Sequence, residues 1–139
     1  MTAKQYLQQA FYLNQQIETD QRELEKLRAL AETVPSIKQT EERVQTGGPV
    51  DRVSEIVAKI VDLEAEIQGE IDSYVTMQMT IRKIISRVKN KKWKVILKRR
   101  YIHFEKWEQI AEKTHQDLRW VFRLHGKALQ EIEKINFDH

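Results

Sequence analysis

Apolar residues recur at alternating steps of four and three along two long stretches of this chain. The stretches cover residues 6–34 and 53–88, and one acidic residue interrupts each of them, Asp20 in the first and Glu70 in the second. A mean step of 3.5 residues is typical of the seam of a coiled coil. The pattern therefore predicts two long amphipathic helices with coiled-coil-like packing.

The segment between the two stretches lacks this period and holds both prolines of the chain, Pro35 and Pro49. Proline, glycine and small polar residues together favour turns and loops. We predict a loop over residues 34–50, across which two helices fold back as an antiparallel hairpin that spans residues 1–88. Two roles are open for this hairpin: a plain scaffold, or the interface of a homodimer that uses the same apolar stripe.

Shorter helical periods follow in the C-terminal part of the chain. Residues 89–92 break the second long helix, and a new period runs from Trp93 to Tyr101. Because apolar residues recur at helical spacing and not at strand spacing along the chain, the sequence predicts an all-α protein.

A short helix, a turn and a second helix are predicted after residue 104. Ile110 and Ala111 belong to the inner face of the short helix, residues 114–116 form the turn, and Asp117 is a favourable N-cap for the next helix. Four residues at steps of three and four mark the buried face of that second helix: Val121, Leu124, Ala128 and Ile132. This arrangement is typical of a helix-turn-helix, which we assign to a domain over residues 91–139.

Charge is distributed unevenly along the chain. Residues 1–78 contain 8 Lys and Arg against 14 Asp and Glu, a net charge of −6, whereas residues 79–139 contain 16 against 7, a net charge of +9. No acidic residue lies between Asp72 and Glu105, and ten of the nineteen residues 82–100 are Lys or Arg. The basic half suits a polyanionic partner, and the acidic half suits contacts to proteins.

The C-terminal part resembles region 4 of sigma-70-type factors, the module that recognises the −35 promoter element. The resemblance rests on Ile110-Ala111, Asp117-Leu-Arg-Trp-Val121, Leu124 and Ala128-Leu129, preceded by Val95-Ile-Leu-Lys-Arg-Arg-Tyr101. Three positions depart from the family pattern: Thr114 and His115 in the turn, where Leu and Gly are usual, and Gly126 within the second helix.

The whole layout is similar to small phage-encoded transcriptional regulators of the late-gene type. This resemblance implies a protein of the bacterial cytoplasm that binds double-stranded DNA and acts as an activator or accessory factor at promoters. It also implies that the hairpin contacts RNA polymerase, another regulator or a second copy of the chain. No segment resembles the part of sigma factors that melts the −10 element, which argues against initiation by this protein alone.

Helical phase selects the residues that would contact DNA. With Val121 and Leu124 inward, Arg119 and Arg123 point outward, and Arg can bind guanine edges in a bidentate manner. Leu118 and Phe122 are candidates for contacts to thymine methyl groups. Predicted phosphate contacts, which position a protein without reading sequence, are Lys91, Lys92, Lys94, Lys98, Arg99 and Lys127. For Trp120 we favour packing against the preceding helix or the hairpin, and for Phe122 packing and DNA contact are equally open.

The sequence contains no pattern that indicates catalysis, a metal or a cofactor. There is no cysteine, the four histidines lack ligand spacing, and Gly47-Gly48-Pro49 is not followed by the Lys-Ser/Thr pair of a phosphate-binding loop. We therefore expect no enzyme activity, no cofactor and no metal. No apolar run approaches the roughly 20 residues that cross a bilayer, so we expect no membrane insertion.

Two other functions are compatible with the same sequence. One is a phage DNA-packaging protein, similar to a small terminase subunit, whose helix-turn-helix recognises genome ends. The other is a module that binds RNA polymerase and has no affinity for DNA.

Overall fold

The computed structural model describes residues 1–40 and 49–135, and the side chains of residues 1–33 and 51–135. The described residues form helices and no strand, which confirms the all-α prediction. The helices are α1 (Ala3–Thr40), α2 (Pro49–Ser86), α3 (Lys91–Tyr101), α4 (Trp107–Lys113) and α5 (Leu118–Ile135).

Local side-chain hydrogen bonds explain where three of these helices begin. Thr2 and Gln5 form a reciprocal pair at the start of α1, since the Gln5 N–H donates to Thr2 Oγ1 and the Thr2 N–H donates to Gln5 Oε1. Asn90 Oδ1 accepts from the N–H groups of the second and third residues of α3. Asp117 Oδ1 accepts from the Trp120 N–H at 2.9 Å. Each cap satisfies N–H groups that the helix itself leaves without partners.

The two long helices extend further than predicted. Helix α1 continues to Thr40 and α2 begins at Pro49, so residues 34–40 and 49–50 of the predicted loop are helical. The remainder of that loop, residues 41–48, lies outside the described residues. Proline is favourable in the first turn of a helix, where its missing N–H has no partner to lose. Pro49 therefore begins α2, although the composition of residues 34–50 alone predicted a loop.

The chain divides into two compact units, and the division differs from the predicted boundary between residues 88 and 91. Unit 1 contains Met1–Asn14 and Ser73–His139, and unit 2 contains Gln15–Asp72. In unit 1, the start of α1 and the end of α2 share one hydrophobic core with α3 and α5. The buried side chains of this core include Leu7, Ile81, Ile85, Leu97, Tyr101, Ala128 and Ile132. Burial of these side chains explains why the start of α1 and the end of α2 belong with the C-terminal helices.

Unit 2 is built from α1 and α2 alone. Leu24, Leu63 and Ile67 form its buried cluster. Gln16 Nε2 donates to Glu70 at 2.7 Å, and the Arg28 guanidinium donates to Glu64 at 2.6 Å. As the residue number rises along α1, the number of the α2 residue that it contacts falls. The two helices therefore run antiparallel within this unit.

Candidate nucleic-acid interface

A small hydrophobic cluster holds α3, α4 and α5 together in unit 1. Its buried members are Ile96 from α3, Ile110 and Ala111 from α4, and Val121 and Leu124 from α5. Val121, Leu124, Ala128 and Ile132 are all buried, as the period of α5 predicted. The inward phase of α5 therefore leaves the opposite side of this helix facing solvent.

The connection between α4 and α5 contains one residue in the left-handed backbone conformation. His115 has a φ of 57°, the left-handed region that glycine adopts most easily. Thr114 Oγ1 donates to the Ile110 carbonyl at 2.7 Å, and Asp117 caps α5 on the other side. These two hydrogen bonds hold the turn although its central residue carries a side chain.

Replacing His115 by glycine is expected to raise the free energy of unfolding by roughly 0.5–1 kcal/mol, because relief of strain exceeds the added freedom of the unfolded chain. Urea denaturation followed by tryptophan fluorescence measures the change. His103→Gly is the matched control: His103 is exposed and lacks a positive φ, so this variant is expected to lose stability. Equal losses in both variants would show that the turn does not require the left-handed conformation.

The outer side of α5 presents the two arginines predicted to contact bases. Arg119 and Arg123 are exposed, and so is Lys127. Phe122 is 46% exposed and packs edge-on against the Trp107 ring, with centroids 5.3 Å apart. One part of the Phe122 ring therefore packs within the protein, and another part faces solvent, where a contact to DNA stays a prediction.

Two apolar side chains of α5 differ from their predicted roles. Leu118, predicted to face DNA, is partly buried against the α3–α4–α5 cluster, because it lies one turn before Val121 on the same side of the helix. Trp120, predicted to pack on a neighbouring helix, is 41% exposed. The Arg123 guanidinium lies 5.7 Å from the Trp120 ring centroid, which is within the range of a cation–π contact.

The predicted phosphate contacts of α3 fall into two groups. Lys91 and Lys92 are exposed, and Lys94 and Lys98 are partly exposed. Arg99 instead forms an ion pair with Glu105, in which its Nη1 lies 3.1 Å from both carboxylate oxygens and the two side chains are only 30% and 20% exposed. Arg99 is thus committed to holding the connection after α3, and its role as a phosphate contact is not supported by this geometry.

Arg100 and Phe104 complete the connection between α3 and α4. Arg100 donates to the Glu105 carbonyl at 2.9 Å, and its guanidinium lies 4.4 Å from the Trp107 ring centroid. Phe104 has a φ of 57°, which is unusual for a bulky side chain, and its ring packs edge-on against Phe11. The contacts of Arg100 hold the start of α4 against α3, and the contact of Phe104 holds their connection against α1.

A buried hydrogen bond between α3 and α5 was not predicted from the sequence. Tyr101 Oη and His125 Nε2 lie 2.7 Å apart, and His125 is only 7% exposed. The Trp107 ring packs edge-on against the imidazole at 4.6 Å between centroids. The phase of α5 could have located His125, since it lies four residues after Val121 and three before Ala128.

Burial shifts both groups of this pair toward their neutral forms. Desolvation, with smaller contributions from Lys4 and Arg100, lowers the pKa of His125 to about 4. Desolvation also raises the pKa of Tyr101 to about 12, against a small opposing effect of Arg100. At neutral pH the pair is an uncharged hydrogen bond inside the core that supports α5.

The two acidic residues that interrupt the apolar seams meet in unit 2. One carboxylate oxygen from each of Asp20, Glu66 and Glu70 lies within 4.8 Å of the others. Burial, followed by a hydrogen bond and repulsion from Asp20, raises the pKa of Glu70 to about 7. A proton held by Glu70 for part of the time at neutral pH relieves the repulsion, so the cluster does not by itself require a cation.

The charge asymmetry of the sequence coincides with the two compact units. Unit 1 contains 17 Lys and Arg and 7 Asp and Glu, a net charge of +10. Unit 2 contains 7 and 14, a net charge of −7. The exposed arginines of α5 therefore belong to a strongly basic unit.

Comparison of the chain with protein-family models, curated proteins and solved structures finds no match. Among the described residues, no helix combines the length and the hydropathy that crossing a membrane requires.

Proposed function

We propose that this protein is a sequence-specific transcriptional regulator that binds double-stranded DNA, with α4 and α5 acting as a helix-turn-helix. The observation that carries the proposal is the exposed side of α5, where Arg119, Arg123 and Lys127 face solvent on a unit of net charge +10. A helix packed through one face and basic on the other can enter the major groove, which is about 12 Å wide.

The exposed side chains divide between two kinds of DNA contact. Arg119 and Arg123 contact base edges, since each guanidinium can donate two hydrogen bonds to the O6 and N7 atoms of a guanine. The Trp120 ring beside Arg123 limits the positions that this guanidinium samples before it binds. Phosphate contacts come from the lysines that project from α3 and α5: Lys91, Lys92, Lys94, Lys98 and Lys127.

Unit 2 has a different role from unit 1 in this proposal. Its net charge of −7 opposes contact with DNA, so its partner is a protein: RNA polymerase, another regulator or a second copy of this chain. The resemblance to phage-encoded regulators of the bacterial cytoplasm favours an activator or accessory factor, in a phage or prophage. The basic unit then places the acidic unit beside a promoter.

Fluorescence anisotropy with labelled duplex DNA at several salt concentrations tests DNA binding. Five phosphate contacts predict that the logarithm of the association constant falls with the logarithm of salt concentration with a slope of roughly −4 to −5. A duplex selected from a random library should bind with sub-micromolar affinity and more tightly than an unrelated duplex. Absence of binding at low salt would reject the proposal and favour a module that binds RNA polymerase without DNA.

A further inference from the structure

Gly126 occupies a position in α5 where nothing in the described protein requires glycine. It is the ninth residue of an 18-residue helix, it is exposed, and its φ lies outside the left-handed region. Outside its chain neighbours and the nearby backbone of α5, a Cβ atom built on Gly126 meets no described atom within 4 Å. Glycine is less favourable than alanine inside a helix. Gly126 differs from the exposed Gly69 of unit 2 in lying in the strongly basic unit 1, where the close approach of an anionic partner would account for it.

The surroundings of Gly126 are those of the proposed DNA-binding surface. Phe122 and Arg123 precede it by one turn, and Lys127 follows it directly; all three are exposed. The backbone at residue 126 is therefore bare between long exposed side chains, two of which are cationic.

The sign of the side-chain charge changes after Lys127. Arg119, Arg123 and Lys127 are followed by Glu131. The Glu133 carboxylate accepts a hydrogen bond from the Ala3 N–H at 2.5 Å, so it takes part in the contact between α5 and α1. An anionic strand along this side of α5 is attracted by Arg119, Arg123 and Lys127 and repelled by Glu131, and Lys134 is the next cation, in the last turn of the helix.

Position along the helix also distinguishes Gly126 from the residues proposed to contact bases. A recognition helix contacts base edges with its N-terminal residues, so its later residues lie closer to the sugar–phosphate strands. Gly126 is the ninth residue of α5, about 12 Å along the helix axis from Leu118.

We propose that one sugar–phosphate strand of the DNA crosses α5 at Gly126, and that the missing side chain sets how deeply the helix enters the groove. The inference rests on the proposed DNA-binding function and adds the point of closest approach to it. A methyl group at this position would hold the strand away from the helix and lengthen the phosphate contacts of Lys127 and its neighbours.

Gly126→Ala and Gly69→Ala form a matched pair of variants that tests this proposal. Gly69 lies in α2 of unit 2, is exposed, and would also accept a Cβ without any contact within 4 Å. Each substitution is expected to raise the Tm by roughly 2–5 °C, because alanine favours the helix and the backbone freedom of glycine is lost. A raised Tm for Gly126→Ala shows that the variant is folded.

The two variants should differ in DNA binding. Gly126→Ala is expected to bind both a selected and an unrelated duplex roughly tenfold more weakly in 0.1 M salt, which corresponds to the loss of about one phosphate contact. Gly69→Ala should bind as the unchanged protein does. Binding by Gly126→Ala at full strength would overturn the proposal, and so would a loss confined to the selected duplex, which would place a base edge at this position. If the unchanged protein binds no DNA in the same assay, the proposed function itself fails.

Discussion

Replacing Arg119 and Arg123 together by alanine is expected to lower the affinity for the preferred DNA sequence by roughly 30-fold to 10⁴-fold. Each bidentate contact between an arginine and a guanine contributes about 1–3 kcal/mol of discrimination, so two such contacts contribute about 2–6 kcal/mol together. Affinity for an unrelated duplex should fall much less, because the lysines of α3 and Lys127 remain. Anisotropy titrations with both duplexes measure the two effects separately.

Two control variants separate base recognition from charge. Arg22→Ala with Lys26→Ala removes the same charge from exposed positions of α1 in unit 2, and it should leave DNA binding unchanged. Arg119→Lys with Arg123→Lys keeps the charge but lacks the planar fork of the guanidinium. This lysine variant should retain much of its nonspecific affinity and lose the sequence preference. Full sequence preference in the lysine variant would show that neither arginine contacts a base edge.

Acidification from pH 7 to pH 4 is expected to remove about 3 kcal/mol of stability through His125 alone. The pKa of this imidazole is about 4 in the folded protein and 6.5 as an ordinary value, and each unit of difference corresponds to about 1.4 kcal/mol. Because the folded state favours the neutral imidazole, this contribution is present above pH 6.5 and is lost as the pH falls toward 4. The exposed fraction of 7% means that little solvent screens the effect.

His125→Gln isolates this contribution, since the glutamine amide keeps an oxygen that can accept from the Tyr101 hydroxyl and does not titrate. Urea denaturation of both proteins at pH 7 and pH 4.5 gives the difference between their pH dependences. The comparison is needed because Glu70 has the opposite effect on the free energy of unfolding. Its pKa is raised to about 7, so its protonation favours the folded state as the pH falls through 7, and it does so equally in both proteins. An NMR titration that finds His125 ionising near 6.5 would contradict the buried hydrogen bond.

The sequence alone located the short-range features of this protein. The break near Asn90, the cap at Asp117 and the inward phase of Val121, Leu124, Ala128 and Ile132 all agree with the structure. These features depend on interactions between residues at most four positions apart, so a local pattern carries enough information to predict them. The exposed positions of Arg119 and Arg123 follow from the same helical phase.

Only the tertiary structure decided which residues of the candidate interface pair or pack with other residues of the protein. Arg99 pairs with Glu105, Leu118 packs into the cluster of α3, α4 and α5, and Trp120 remains largely outside it. The sequence shows how many cationic residues a segment contains, but it does not show which acidic group lies beside each of them in the folded protein. Side chains of similar hydrophobicity likewise differ in burial according to the helix that lies opposite them.

Long-range contacts also set the division into units and the state of His125. The start of α1 joins the core of α5 more than 100 residues later in the chain, and Tyr101 meets His125 across 24 residues. A periodic seam shows that a helix has an apolar side, but it does not show which other helix covers that side. The periodicity of the chain therefore determined the helices and their inward faces, and packing in three dimensions determined their partners, because burial of apolar surface depends on distance in space and not in sequence.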